Sequence, residues 1–477
     1  MIFASYTYAL FLGVVFLLYW AAPERARKPL LVAASYLFYC TWKLPFGLLL
    51  LAVSLFNWAY GRYVLPKAKT TTPLVLGVLA NLAPLLYFKY TNFLIGNAAA
   101  VVDLFGADWH PRVADILLPL GISFFTFQGI AYLFDVATGE EPFESLLDFL
   151  LFKAFWPQLI AGPIVRPGEI REQIETPRVM DYANVAEGCR RIVFGLFKKV
   201  VLADSLAPVV DTVFLAKGAP FALDAIVGVL GFGMQIYFDF SAYSDIAIGS
   251  ARLFGYRFPE NFAWPYVSRS PQEFWNRWHM TLSRWIRDYL FTPLTFASRR
   301  RPKLAPVWLL VAMAACGLWH GAQWTFVVWG VWHGLLLVLN QTALKPLFAG
   351  TGPGEPARYR LRGWVAWGVT MVLVFAGWLL FRAHSLAQAA DMAQAILTFR
   401  GGAAPAVVRV NGILTVFLIA VLMAGAQVAA GLKGKVALHA PRLLTAGHTL
   451  RPLWYAAMLV LVIVFDHEAQ AFIYFQF

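Results

Sequence analysis

His320 and His333 each sit in a Trp-His-Gly triplet inside a long apolar stretch, and His279 lies among Arg277, Arg284 and Arg287. An ionisable group amid the apolar residues 312–329 is costly in a membrane unless it has a partner or a task. A neutral imidazole accepts a proton from an alcohol while the hydroxyl attacks a thioester carbonyl, so His320 is a candidate general base for acyl transfer. The blander alternative is a ring that merely bridges helices. On one continuous helix His333 would be rotated roughly 140° from His320 and would face elsewhere. Gly321 makes that continuity doubtful, and His333 reads as a packing or hydrogen-bonding residue. His279 reads as a supporting site residue; its bland alternative is to anchor a horizontal helix.

Guanidinium groups suit an anionic donor such as acetyl-coenzyme A or an acyl carrier, which makes Arg277, Arg284 and Arg287 candidate donor contacts. Trp278 and Trp319, each next to a candidate histidine, join them as donor or channel contacts. Gln128, Asp135, Asp239, Ser241, Tyr243, Ser244 and Asp245 are polar residues in apolar surroundings and need partners if buried. The arginines of residues 269–287 are the expected partners, which would tie a basic layer to the bundle. The three cysteines, Cys40, Cys189 and Cys316, have neither disulfide nor ligand spacing, so no metal site is expected. No GxSxG elbow, Walker loop or Rossmann fingerprint occurs, which argues against a serine hydrolase or an ATPase.

These residues must be carried by a membrane protein. Of 477 residues, 60% are hydrophobic and 14% charged, and the mean hydropathy is +0.63. Apolar windows fall near 3–20, 29–42, 45–60, 73–89, 115–134, 192–215, 222–239, 305–319, 322–340, 364–381, 410–430 and 453–466. They predict an all-α polytopic bundle of about 10 to 12 spanning helices within one domain, residues 1–477. Within it, residues 1–135 supply N-terminal helices, 136–345 the motif-bearing core and 346–477 C-terminal helices. The first span has no preceding Lys or Arg and reads as an uncleaved helix.

The net charge of +13 follows from basic cytoplasmic loops and needs no nucleic acid. Arg25, Arg27 and Lys28 after the first span, with Arg62, Lys67 and Lys69 after the third, place both loops in the cytoplasm. Residues 90–114, with Asp103, Asp108, His110 and Arg112, then form a loop outside. Residues 147–170 are apolar but broken by Pro157, Gly162 and Pro163, as in a re-entrant segment buried in protein. Between Arg252 and Lys303 stand ten basic and three acidic residues, a layer suited to the cytoplasmic interface. There Trp275, Trp278, Leu282, Trp285 and Tyr289 follow helical spacing and predict one horizontal helix with an aromatic stripe.

Six stretches carry a resemblance: PLGISFFTFQ (119–128), WPQLIAGPIVRP (156–167), QIYFDFSAYSDIAIG (235–249), NFAWPYVSRSPQEFWNRWHMTLSRWIRDYLFTPL (261–294), GLWHGAQWTFVVWGVWHG (317–334) and FRAHSLAQA (381–389). In this order the chain resembles the membrane-bound O-acyltransferase family, in its bacterial branch of alginate O-acetylation and teichoic acid D-alanyl transfer proteins. The resemblance implies that His320 is the family's essential histidine and His279 its second recurrent one. It also implies acetyl transfer from a cytoplasmic thioester across the bacterial plasma (inner) membrane to an extracytoplasmic polysaccharide. Membrane lipid surrounds the chain, and secreted or anchored acetylation proteins are the implied partners.

One departure keeps a second substrate class open. After RDYLFTPL this chain continues TFASRRRPKLAP, where alginate-type proteins have a Gly-Gly-Asn-Arg stretch, and FWNRWHM resembles the D-alanyl branch. D-alanyl transfer from a carrier protein to cell-wall polymers is therefore the alternative acyltransferase reading. A transporter or flippase is the alternative from another class, but the internal repeats common in transporters are not visible.

Overall fold

Within lipid a backbone must satisfy its own polar groups, and every regular element among the described residues is helical. The computed structural model describes residues 3–106, 109, 111, 114–216, 221–348, 360–399, 408, 411–423, 425, 441–465 and 472–473. In chain order the first helices are α1 (Tyr6–Ala21), α2 (Glu24–Cys40), α3 (Leu44–Tyr63), α4 (Thr72–Leu85), α5 (Thr91–Leu104) and α6 (Ile122–Ala137). Short helices α7 (Leu146–Ala154), α8 (Trp156–Leu159) and α9 (Pro167–Glu175) follow, then α10 (Tyr182–Leu196), α11 (Asp204–Phe214) and α12 (Ala222–Leu253). A broken stretch holds α13 (Pro271–Trp275), α14 (Met280–Ile286) and α15 (Thr292–Ala297). The chain continues through α16 (Ala305–His320), α17 (Trp324–Gln341), α18 (Lys345–Phe348), α19 (Arg360–Arg382), α20 (Leu386–Thr398), α21 (Asn411–Met423) and α22 (Pro441–Val464).

Five helical stretches among the described residues are long and apolar enough to cross a membrane: Leu44–Lys67, Thr72–Leu104, Ala222–Leu253, Pro302–His320 and Arg362–Arg382. Shorter apolar helices lie at Tyr6–Ala21, Ile122–Ala137, Asn411–Met423 and Pro452–Val464. The molecule is thus an all-α polytopic bundle. Its central pillar is α12, flanked by α10 and α11, with α19 and α20 also against it. Gly188 and Gly249 let α10 and α12 approach so closely that a methyl on either would crowd the other's carbonyl oxygen.

Three expectations are corrected. The segment after residue 90 is not simply a loop, because a π-helical turn over Leu86–Tyr90 joins α4 to α5 and the helix runs on to Leu104. Of that segment, Asp108, His110 and Arg112 lie outside the described residues, as do residues 424 and 426–430 at the end of the 410–430 window. The single helix expected through Trp275 and Tyr289 is broken, because residues 276–279 leave helical geometry and His279 takes φ 40°, ψ 53° before α14 starts. Its aromatic stripe is core rather than membrane anchor: Trp275, Trp278, Leu282 and Trp285 are all buried.

Residues 147–170 are interrupted, as Pro157, Gly162 and Pro163 predict, and largely buried in protein. Helix α7 stops at Ala154, α8 is a single turn, and residues 151–165 are buried throughout. The backbone N–H of Ile164 donates to Thr281 Oγ1 at 3.1 Å, fastening this segment to α14. Helices α16 and α17 are separate and packed together, as Gly321 suggested. A methyl at Gly317 would collide with the Phe326 carbonyl, and one at Gly330 with that of Met313. That close packing brings Trp329 against His320.

Candidate active site

Helix α16 ends on His320, deep in the bundle and 3% exposed. Aromatic rings wall its imidazole: Trp319 at 5.0 Å, Trp329 at 5.1 Å and perpendicular, and Phe381 at 5.2 Å between centroids. These rings come from the end of α16, from α17 and from α19, so three helices must pack before the pocket exists. Across from His320 lies His279, fully buried, with ring centroids 6.4 Å apart. The spacing is too long for a direct ring-to-ring hydrogen bond. Trp319 sits beside both, 5.9 Å from the His279 ring, and continues a column through Phe127 to Trp285.

His279 is held in a conformation that a residue with a side chain seldom adopts, at a cost of about 1–3 kcal/mol. Asn261 fixes its ring. The Asn261 side-chain N–H donates to Ser244 Oγ at 3.1 Å, while its Oδ1 accepts from the backbone N–H and the hydroxyl of Thr281 at 3.3 and 2.9 Å. That oxygen, 3.0 Å from His279 Nδ1, is therefore an acceptor, and Nδ1 carries the proton. In the neutral ring Nε2 then keeps a lone pair, and no group among the described residues hydrogen-bonds to it. His279 thus has the arrangement of an oriented base, which the sequence presented only as a supporting residue.

His333 is placed differently. Trp275 Nε1–H donates to His333 Nδ1 at 3.3 Å, and the ring packs on Phe274 and Trp329. Its Nε2 faces Gly377 of α19, where a methyl group would come within 2.7 Å.

A cavity of about 660 Å³ opens among α13, α14, α16 and α17, lined by Arg284, Arg287, Gln272, Asn276 and Ser283 and by apolar residues including Leu309, Met313, Cys316 and Leu337; His320, His279 and Trp319 are not in its lining. Met280, which follows His279, and Cys316, one turn before His320, both line it. Of the predicted donor residues the structure brings Arg284 and Arg287 to this cavity. Arg284 pairs with Glu169 at 3.3 Å and Arg287 with Asp288 at 2.6 Å. Burial works to raise the Asp288 carboxyl, but hydrogen bonds from Arg287 and Arg166 outweigh it and hold the group below its ordinary range.

Arg277 and Trp278 do not line the cavity. Arg277 is committed to Glu273 at 3.0 Å and to the Ala263 carbonyl, while Trp278 packs against Phe274, Phe262 and Trp378. The expected pairing of Asp239 and Asp245 with the arginines of residues 269–287 is also corrected. Asp239 pairs with Lys199 at 2.9 Å, and Asp245 with Lys198 at 2.6 Å and Arg191 at 3.2 Å. Both lysines lie on a π-helical turn, Phe197–Ala203, whose widened register turns consecutive side chains toward α12. Gln128 is buried, and its Oε1 has no hydrogen-bond partner among the described residues.

Two residues absent from the sequence reading complete the surroundings of His320. Lys89 Nζ donates to the carbonyl oxygens of Trp319 and His320 at 2.7 and 2.9 Å, and the Tyr90 hydroxyl donates to that of Leu318 at 2.7 Å. Their only signal in the sequence was a lysine at the end of an apolar window, which reads as a membrane-edge charge.

Comparison with known proteins agrees with this architecture. The sequence pattern of the membrane-bound O-acyltransferase family matches residues 143–376. A "Probable alginate O-acetylase" of Azotobacter vinelandii is 41% identical over 411 residues, which cover 84% of this chain and 78% of that protein. The peptidoglycan O-acetyltransferase of Helicobacter pylori is 34% identical over 432 residues, 82% of this chain and 78% of that protein. A teichoic acid D-alanyltransferase of Streptococcus thermophilus is 33% identical over 238 residues, 47% of this chain and 57% of that protein.

Proposed function

Because the chain belongs to the membrane-bound O-acyltransferase family, we propose that it passes an acetyl group from a cytoplasmic thioester to a hydroxyl destined for an extracytoplasmic polysaccharide. The observation that carries this reading is the pair of buried imidazoles, His320 and His279, with ring centroids 6.4 Å apart, whose chain neighbours Cys316 and Met280 line a cavity that Arg284 and Arg287 also line. A thioester entering the cavity with its phosphates toward Arg284 and Arg287 directs its acyl end toward α16. His320 takes the proton of the attacking hydroxyl, whose oxygen bonds to the thioester carbonyl carbon. As the tetrahedral oxyanion collapses the carbon–sulfur bond breaks, and the departing thiolate recovers the proton from the imidazolium. The products are one ester and one thiol, with no net proton change.

His279, its Nδ1 proton held by Asn261, is the second base of this pair. His333, with Nδ1 filled by Trp275, stays outside the chemistry. The basic layer over residues 240–303 faces the cytoplasm in this reading, and the protein works in a bacterial inner membrane with a partner that carries the acyl group onward. Acetyl transfer to polysaccharide is favoured over D-alanyl transfer because the two O-acetylating relatives align over more than four-fifths of the chain at 41% and 34% identity, whereas two D-alanyl relatives align over 47% and 54% of it at 33% and 29%.

The test is ester-linked acetate on surface glycans from a deletion strain complemented with variants at matched membrane levels. His320→Ala should abolish the ester, a loss on the order of 10²-fold or more, and His333→Ala should lose less. Wild-type acetate with His320→Ala would remove this mechanism. Release of D-alanine in place of acetate would keep the catalysis and reassign the donor.

A further inference from the structure

A helix that ends inside a membrane protein must dispose of its last four carbonyl groups, which have no partner within the helix. In α16 they are Gly317, Leu318, Trp319 and His320. The Gly317 carbonyl accepts from the Gly321 backbone N–H at 3.4 Å. The other three accept from two side chains of a different helix: Leu318 from Tyr90, and both Trp319 and His320 from Lys89. All four are accounted for, and two residues of the 72–104 helix serve three of them.

The same helix also holds the far side of the turn. Asn97 Oδ1 accepts from Trp324 Nε1 at 2.8 Å, and Phe93 packs on Trp324 at 5.8 Å, where α17 begins. The turn between His320 and Trp324 is therefore gripped at both ends by one helix. The π-helical turn over Leu86–Tyr90 supplies the means: it departs from the regular ladder where Lys89 and Tyr90 meet α16. Such turns recur at functional sites.

Lys89 does not form an ion pair with any carboxylate among the described residues, although a neutral donor such as a tyrosine hydroxyl already serves the neighbouring carbonyl. A cation at a helix C-terminus opposes the partial negative charge gathered there.

We propose that Lys89 and Tyr90 are positioning residues for acyl transfer, clamping the end of the His320 helix and so holding the reacting imidazole in place. The proposal rests on His320 being the base. It makes the outer half of the 72–104 helix part of the catalytic apparatus without touching substrate.

The test compares Lys89→Met, Lys89→Arg and Tyr90→Phe with His320→Ala in the complemented deletion strain. It reads the initial rate of glycan ester formation per unit of membrane protein, with thermal unfolding in detergent alongside. Lys89→Met should slow the rate at least about tenfold, since small displacements of a catalytic group carry penalties of that order or more. Lys89→Arg, which restores the charge and the donors, should recover to within about threefold of wild type. A wild-type rate in Lys89→Met, or an arginine variant no faster than the methionine one, would overturn the proposal. If Lys89→Met does not accumulate, Tyr90→Phe decides: a slower rate at unchanged thermal unfolding supports the clamp, and a wild-type rate sinks it. An active His320→Ala removes the base and the clamp together, whereas an inactive one beside a full-rate Lys89→Met removes the clamp alone.

Discussion

A neutral imidazole serves as a base when its proton is fixed on one nitrogen and the lone pair of the other is open, and that condition separates His279 from His333. His279 meets it through Asn261, whose own orientation is set by Ser244 and Thr281. His333 has its Nδ1 lone pair occupied by Trp275. Asn261→Ala should therefore lower the rate of ester formation by roughly tenfold or more, approaching the loss in His279→Ala, because a freed ring no longer favours the productive tautomer. Rates are compared at equal membrane levels; a wild-type rate in Asn261→Ala beside an inactive His279→Ala would show that the tautomer does not matter. The histidines were legible in the sequence because each stands in a motif. The role of Asn261 was not, since no periodicity relates a residue in irregular backbone to a ring 18 positions away. Lys89 was hidden for a related reason: its partners are backbone carbonyls about 230 residues distant, and a carbonyl leaves no trace in composition.

At the scale of elements, departures from the regular helix decide which side chains meet. A 3.6-residue period separates Lys198 and Lys199 by about 100°, and on that rule they would not both face α12. The π-helical turn widens the register so that both lysines reach acids of α12, a pairing that helical spacing does not suggest. Lys199 joins Asp239 and Asp204 at 2.9 and 2.8 Å, and Lys198 joins an acid that Arg191 also reaches. Breaking a buried pair by removing one partner costs about 3–5 kcal/mol. Lys199→Met, which strands two carboxylates, should approach that loss, while Lys198→Met should lose less because Arg191 remains beside Asp245. Thermal or denaturant unfolding in detergent gives the ranking, and equal losses would mean that Arg191 does not compensate. The helix break at His279 was likewise invisible to spacing, because Trp275 and Tyr289 are separated by an interval that an unbroken helix also satisfies.

Across the whole molecule the all-α bundle was legible from hydropathy, but the depth of each helix was not. The stretches Thr72–Leu104 and Ala222–Leu253 have the same mean hydropathy, 1.4, yet 17% of the first window and 83% of the second is buried inside the protein. Lipid and protein interior are both apolar, so hydropathy does not rank them. Polar residues do: Asp239, Ser241, Ser244 and Asp245 mark α12 as central, because a lipid-facing helix would have no partners for them.

The same division of surroundings puts Arg284 and Arg287, the proposed donor contacts, at the rim of the molecule rather than in its core. Arg287 exposes 62% of its side chain at the cavity and contacts Asp288, which Arg166 also holds at 2.8 Å. Reversing Arg287 therefore leaves Asp288 with a partner and makes Arg287→Glu the cleaner variant. At Arg284, a glutamate would face Glu169 across a contact now 3.3 Å long and weaken the tie between α9 and α14. A basic residue near such a surface contributes about 1 kcal/mol toward an anionic ligand, and reversal of its charge should raise the apparent KM for acetyl-coenzyme A by about tenfold. Release of free thiol by the purified protein supplies the measurement, with kcat changing little. Salt should raise the wild-type KM and affect Arg287→Glu less, since exposed charges are screened over about 8 Å at physiological ionic strength. An unchanged KM and salt response at normal protein yield would leave Arg287 with Asp288 as its sole charged role and would move the donor phosphates away from this rim.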